Sequence, residues 1–231
     1  MGVTAFIPAK MTSRRLPKKN MCDLCGQPLL YYSVKLAQLC GAVDRVVVCS
    51  ESEEVCRYAE NLGAASIPRP EELSQDHVPN TSVLKWWYDL EVEKPKIVAL
   101  LQPTHPLRHP DDLDCAARKM LQESPAVTDT CFAVVREDIL LGVIRDDRFV
   151  PEFPLPRDKS REPARYRNTG SFYLLRPERT FLTGKPYGSR FGAHILQRPE
   201  FEVDIDEASD LEMARCLLQA HKKHFSYFDC A

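Results

Sequence analysis

The 231-residue chain carries 31 Lys and Arg against 33 Asp and Glu, a net charge of −2 at neutral pH, with 44% hydrophobic residues. That length suits one large α/β domain over residues 1–231 and not two full domains. The charge balance, with no aromatic ladder beside the basic residues, argues against nucleic acid as a partner, and the absence of a secretory leader or of an apolar run near the roughly 18 residues of a membrane span argues for a cytoplasmic protein without a membrane partner.

In chain order, Val3 to Ile7 is an apolar run that reads as a first strand. It empties into Ile7 to Asn20, where five cationic side chains fall between Lys10 and Lys19 and where Pro8 and Pro17 discourage a helix. A basic, non-helical loop after a first strand suggests a phosphate cradle, because backbone N–H groups form an anion-binding concavity and Lys and Arg add full charge. It lacks the Gly-Lys-Ser/Thr ending of a P-loop and the glycines of a dinucleotide fingerprint. The alternative is a solvated basic turn or a nuclear-localisation patch.

A helix opens at Pro28 and Leu29 with Leu30, Val34 and Ala37 on one face, ending near Gly41. Arg45 to Cys49 reads as a buried strand, and Ser50-Glu51-Ser52-Glu53 matches a capping box for a helix with Val55, Ala59 and Leu62 inward that Gly63 ends. A short strand is expected at Ala64 to Ile67, a polar loop at Glu71 to Thr81, and a helix at Ser82 to Val92 with Trp86 and Trp87 split between surface and core. Ile97 to Leu101 is the most apolar strand, running into Gln102-Pro103-Thr104-His105-Pro106-Leu107-Arg108. Ligands of open parallel sheets lie beyond the carboxyl ends of the strands, so this loop and the Lys10 loop are expected on one edge.

Pro110 starts a helix with Leu113, Ala116, Ala117, Met120 and Leu121 at helical spacing, and Cys131 to Val135 reads as a strand. Ile139 to Val150 reads as a hairpin, and Pro151 to Arg167, rich in proline and arginine, as an extended excursion, so that residues 137–167 form a lid or dimer arm. Strands follow at Ser171 to Leu175 and His194 to Gln197. In Phe201 to Asp206 carboxylates and apolar residues alternate, placing Asp204 and Asp206 on one side of an extended segment, before a last helix with a capping box of Ser209 and Glu212.

Two carboxylates on one side of a strand suit Mg2+, which takes oxygen ligands and keeps waters and phosphates in its other positions. With the basic loop on the same edge, a nucleoside triphosphate site follows. The competing reading of the aspartates has one capping the last helix and the other facing solvent. Cys22 and Cys25, with His221 and His224, have the spacing of two half zinc sites, but the pairs lie too far apart in sequence for a usual zinc motif. The nine scattered cysteines read as free thiols of a reducing compartment.

Several of these segments together resemble the cytidylyltransferases that activate sialic acids, the CMP-N-acylneuraminate synthetases and their relatives for other nonulosonic acids. Ala9 to Asn20 is similar to their Ala-Arg-x-x-Ser-Lys-x-Ile/Leu-Pro-x-Lys-Asn motif, and Leu100 to Arg108 to their Leu-Leu-Gln-Pro-Thr-Ser-Pro-Leu-Arg. Arg69-Pro70 with Glu72-Leu73 and Asp76, Gly170 to Tyr173, and Val203 to Asp206 resemble three further motifs in the same order. The resemblance implies an open, mostly parallel, Rossmann-like nucleotidyltransferase sheet of the GT-A-like kind, with a small dimerisation excursion. It implies that CTP and a 2-keto sugar acid give a CMP-sugar and pyrophosphate, with Mg2+ held by Asp204 and Asp206, in a homodimer. Residues implied at the nucleotide are Ala9, Lys10, Ser13, Arg14, Lys19, Asn20, Arg69 and Asn80, with Lys10, Arg14, Lys19, Asp204 and Asp206 carrying the chemistry; Gln102, Thr104, Arg157, Arg167 and Thr169 are implied at the sugar acid.

This chain departs from the family pattern at four places. Lys10 stands where Arg is usual, keeping the charge without the planar fork. His105 replaces a common Ser, Thr169 a usual Asn, and Asn80 a nucleotide-contacting Ser. Two alternatives stay open: a same-fold enzyme for another keto sugar acid such as an octulosonate, and a catalytically idle nucleotide-binding paralogue.

Overall fold

Strand β1 (Val3–Pro8) is buried along its whole length because it lies inside a parallel sheet covered on both faces, which is why it reads as a continuous apolar run. The computed structural model describes residues 2–13, 15–152, 164–181 and 187–228. After β1 come a 3₁₀ turn at Lys19–Met21, the two-residue strands β2 (Asp23–Leu24) and β3 (Gln27–Pro28), and helix α1 (Leu29–Leu39). Strand β4 (Val43–Ser50), helix α2 (Glu53–Asn61), strand β5 (Ala65–Pro68), helix α3 (Asn80–Leu90) and strand β6 (Ile97–Leu100) follow. The second half adds α4 (Pro110–Gln122), β7 (Thr130–Glu137), the hairpin β8 (Gly142–Arg145) and β9 (Arg148–Pro151), β10 (Arg165–Leu175), α5 (Pro177–Thr180), β11 (Phe191–Ile195) and α6 (Ala208–Ala220).

The main sheet has seven strands in the order β11-β7-β10-β6-β1-β4-β5. Strand β10 runs antiparallel to both neighbours, β6 and β7; the other pairings are parallel. In register, Phe6 lies between Val47 and Leu100, so the middle of β1 is held on both edges. The period of two sorts the strands cleanly: Val3, Ala5, Ile7, Val46, Val48, Ile97 and Ala99 pack with α1, α2 and α4, whereas Phe6, Val47, Cys49, Val98 and Leu100 pack with α3. Trp87 is fully buried and Trp86 only partly, the expected split. A third cluster joins the other side of α1, through Tyr31 and Tyr32, to α6, Phe225 and Phe228. Among the described residues no helix is long and apolar enough to cross a membrane.

Several local expectations shift. The cap of α2 is Ser52, whose Oγ accepts from the Val55 N–H at 3.5 Å, while Ser50 Oγ accepts from the Ser52 N–H instead of opening the helix. Helix α3 starts two residues early, at Asn80, because Pro79 supplies the extended residue before the first turn. Strand β10 starts at Arg165 and pairs with β7, so part of the expected excursion is ladder. The last sheet strand covers Phe191–Ile195, earlier than expected, with Phe191 beside Thr130.

Residues 202–206 form no ladder, although their alternation holds: Val203 and Ile205 are buried, Asp204 and Asp206 are not. The segment is attached by one backbone bond, Ile205 N–H to Thr104 O at 2.8 Å. Helix α6 begins before Ser209 with a capping box of Glu207 and Asp210, not of Ser209 and Glu212 and not through Asp204 or Asp206; Asp210 accepts from the Asp206 and Glu207 N–H groups at 2.9 and 2.8 Å. The hairpin at 142–151 forms as expected and leaves Val143, Ile144 and Phe149 exposed.

Candidate active site

The strand order switches sides at β1: β4 and β5 lie on one side, β6 on the other, all parallel to it. A crevice opens at the carboxyl ends of β1 and β6, where such a switch point leaves two loops splayed. It is a cavity of about 520 Å³, and Lys10, Ser13, Lys19, Asn20, Arg69, Asn80, Gln102 and Thr104 line it, so most of the sequence-derived site is brought together. Among the described lining residues Arg15 adds a fourth cation against the one carboxylate of Asp76, giving a concave surface that concentrates anions.

Hydrogen bonds to its backbone fix the basic loop at both ends. The Ala9 N–H donates to Cys49 O at 2.9 Å, and the Met11 N–H to Glu51 Oε1 at 2.8 Å, which ties the loop's start to the end of β4. Asn20 is buried and its Nδ2 donates to Lys10 O at 2.7 Å, closing the loop on itself. The side chain of Ala9 is in the core, so Ala9 and Asn20 shape the loop.

Three of its described cations are paired. Lys10 Nζ lies 2.5 Å from Asp76, Lys19 Nζ 2.9 Å from Asp206, and Arg15 Nη2 2.7 Å from the other oxygen of Asp206. Arg69 is buried, its Nε donating to Leu73 O at 2.9 Å, and burial pushes its pKa down. Arg14 and Arg157 lie outside the described residues.

On the facing loop, Asn80 Nδ2 donates to Gln102 Oε1 at 3.0 Å. This occupies the Gln102 oxygen and leaves its amide N–H groups as the donors to offer. Beyond the pair lies a recess of about 140 Å³ also lined by Tyr173 and Tyr187, whose rings stack 5.5 Å apart. Burial, with the Tyr173 ring beside it, pushes the Tyr187 hydroxyl up to about 12. Arg108 is buried and donates to Ser171 O at 2.8 Å and to Ser33 Oγ, a scaffold role joining the loop to β10 and α1.

Thr169 and Arg167 stand apart from the cavity. Thr169 is buried in β10, its Oγ1 donating to Ala133 O at 3.2 Å and accepting from the Ser171 N–H at 3.1 Å. Arg167 pairs with Glu137 and, at 2.9 Å, with Glu202. Sequence reasoning did not assign Arg15, Asp76, His105, Glu202, Tyr173 or Tyr187 to the site. Asp76 carries a signal in its place after Arg69-Pro70, Arg15 in the basic loop, His105 in the Gln102 loop and Tyr173 in the Gly170 motif; Glu202 and Tyr187 converge only through folding.

Asp204 and Asp206 engage different partners. Asp204 is half exposed, 3.6 Å from His105 Nδ1. Burial pushes the Asp206 carboxyl up, but Lys19 and Arg15 outweigh it and hold the pKa below the usual aspartate value. These ion pairs therefore stabilise the fold in full above the unfolded pKa of about 3.9 and lose that contribution as pH falls through the depressed native value. In Asp206→Asn melts followed by circular dichroism from pH 7 down to pH 2, the deficit against wild type is expected to shrink in acid; a deficit constant across that range would contradict the pairing. Two carboxylates are hard oxygen donors that fit a small divalent cation completed by water and phosphate. Among the described residues no group of three or more His, Cys, Asp or Glu could hold a metal, and Cys22 and Cys25 are free thiols.

The family profile described as cytidylyltransferase matches residues 4–142. The pseudaminic acid cytidylyltransferase of Campylobacter jejuni is 31% identical over 231 residues, covering 94% of this chain and 96% of that protein. The CMP-N,N'-diacetyllegionaminic acid synthase of Legionella pneumophila is 33% identical over 233 residues, covering 96% and 99%. Among solved structures, a CMP:2-keto-3-deoxy-manno-octonic acid synthetase complexed with CTP superposes with a TM-score of 0.70 at 18% identity, covering 95% of this chain and 99% of that one, a likeness of fold.

Proposed function

The chain belongs to the cytidylyltransferase family and is a nucleotidyltransferase, and from that premise we propose that it couples CTP to a nonulosonic acid, a sialic-acid-like 2-keto sugar acid, giving a CMP-sugar and pyrophosphate. The observation that carries this reading is the cavity between the Lys10 and Gln102 loops, cationic on one wall and amide- and hydroxyl-lined on the other. In the reaction the anomeric hydroxyl oxygen forms a bond to the α-phosphorus, the bond from that phosphorus to the α–β bridging oxygen breaks, pyrophosphate leaves with the electron pair, and the hydroxyl proton passes to water.

Lys10, Arg14 and Lys19 stabilise charge on the triphosphate, Ser13, Arg69 and Asn80 seat or frame the nucleotide, and Ala9 and Asn20 set the loop. Gln102 and Thr104 face the acid, and Thr169 contributes through its backbone. Arg157 and Arg167 serve the acid's carboxylate, Arg167 by exchanging Glu202 or Glu137 for it. Asp204 and Asp206 would hold Mg2+, which supplies charge neutralisation at the phosphoryl oxygens. Lys19 and Arg15 hold Asp206 ionised until then, and Lys10 leaves Asp76 as the triphosphate enters.

The apolar side chains exposed on β8 and β9 support a homodimer built on this hairpin. Purified protein with Mg2+ is expected to release pyrophosphate from CTP, and not from ATP, GTP or UTP, when given pseudaminic, legionaminic or N-acetylneuraminic acid. Turnover with an octulosonate alone would redirect the substrate assignment, and tight CTP binding by calorimetry with no pyrophosphate from any acid would mark an idle nucleotide-binding paralogue.

A further inference from the structure

His105 is 3% exposed at the centre of the Gln102 loop, and each ring nitrogen has a defined neighbour. Nε2 lies 2.9 Å from the backbone oxygen of Thr169 and Nδ1 3.1 Å from Thr104 Oγ1, both nearer than the carboxylates of Glu202, 3.7 Å from Nε2, and Asp204, 3.6 Å from Nδ1, which lie beyond hydrogen-bond reach. A carbonyl oxygen only accepts, so Nε2 carries the hydrogen; in the neutral ring Nδ1 is then a lone pair, and the Thr104 hydroxyl must donate to it. The hydroxyl proton is thereby spent inside the protein, and Thr104, a residue of the cavity wall, has only its oxygen lone pairs to present. Gly170, at φ +80°, lets β10 pass this close: a Cβ there would lie 3.2 Å from the ring.

We propose that His105 is a positioning and specificity-determining residue which, through the chain Thr104–His105–Thr169, fixes Thr104 as a hydrogen-bond acceptor and so selects a sugar acid that offers a hydroxyl donor at that point. This rests on the sugar-acid reading above. Thr104 touches the substrate; His105 acts through it. The neighbouring Gln102, whose oxygen is occupied by Asn80, presents donors, so the two residues read opposite polarities on adjacent substrate groups. A site built to pair a substrate hydroxyl discriminates strongly against an analogue lacking it, because the acceptor is then left unpaired.

Two substitutions separate the two nitrogens. His105→Asn places an amide oxygen near the Nδ1 position and keeps an acceptor for Thr104, whereas His105→Gln places an amide nitrogen near Nε2 and keeps only the donor to Thr169. The Gln variant is expected to raise KM for the sugar acid roughly tenfold or more with KM for CTP within about twofold, and the Asn variant to recover most of the loss. Thr104→Val is expected to reproduce the Gln effect, and the double variant to add nothing further. In the free wild-type protein, long-range proton–nitrogen NMR is expected to show His105 as the neutral Nε2–H form, its signal identified by its disappearance in His105→Asn.

An Nδ1–H ring, or Asn and Gln variants that behave alike in an active enzyme, overturns the selection alone. A wild type that turns over no acid with CTP overturns the functional reading and the selection with it. A purely structural histidine would lower the melting temperature in both variants without splitting KM for the acid from KM for CTP.

Discussion

Replacing Lys19 with Ala is expected to lower turnover of CTP by about 10²–10³-fold, the cost of removing one preorganised charge donor from a transition state. Lys19 suits that role because its side chain is only 16% exposed and its Nζ is held 2.9 Å from Asp206 before any substrate arrives. A charge already oriented needs no reorganisation when phosphoryl charge develops. The loss of fold stability should be small, since Asp206 keeps Arg15 at 2.7 Å and partly exposed pairs contribute little. Lys19→Arg should recover part of the rate, because charge returns while the point-like ammonium is replaced by a planar fork. Steady-state kinetics beside a thermal melt decide the matter: a drop below about fivefold, or one matched by unfolding, would place Lys19 outside the phosphate cradle.

Replacing Trp87 with Ala is expected to destabilise the protein by about 3–5 kcal/mol, the usual cost of emptying a large aromatic site in a core. Trp87 is fully buried on α3, stacks on Phe6 at 4.9 Å, and donates its indole N–H to Glu91 at 2.7 Å. Phe6 is the centre of β1, paired to β4 and β6 on either side, so the cavity would open directly beneath the strand that carries the basic loop. For a chain of this size the melting temperature should fall by roughly 10 °C. Below the new transition, KM for CTP should stay close to wild type, because Trp87 itself does not line the cavity. A variant that melts within about 2 °C of wild type would show that the α3 face of the sheet repacks around the gap.

The legible parts of the fold were those whose local pattern and tertiary environment agree. Strands β1 and β6 are buried on both faces and show it as unbroken apolar runs, and α4 keeps its inward residues at helical spacing from Leu113 to Met120. At the start of α2, Ser50, Glu51, Ser52 and Glu53 offer overlapping capping patterns, and only the path of the chain off β4 selects Ser52 over Ser50. Strand β10 is longer than its local pattern implies because Arg165 to Thr169 carry mostly charged and polar side chains; what extends them is the ladder to β7, a long-range partner that leaves no local pattern. The aspartate pair was read as lying on one side of an extended segment, and it does, though the segment is tied by a single bond to the Thr104 loop and not by a ladder.

By itself the sequence determined the α/β class, the order of the elements that carry the site, and the chemistry available to it: cations after β1, an amide and a hydroxyl after β6, two carboxylates before α6. These are local properties of residue type and spacing. Only the tertiary structure decided which charges meet, pairing Lys10 with Asp76 and Lys19 with Asp206 across separations of 66 and 187 residues, and which groups act through others, as Asn80 does on Gln102 and His105 on Thr104. Such pairings come from the order in which strands assemble about β1, and sheet order is set by burial of both faces at once, a condition no single segment encodes.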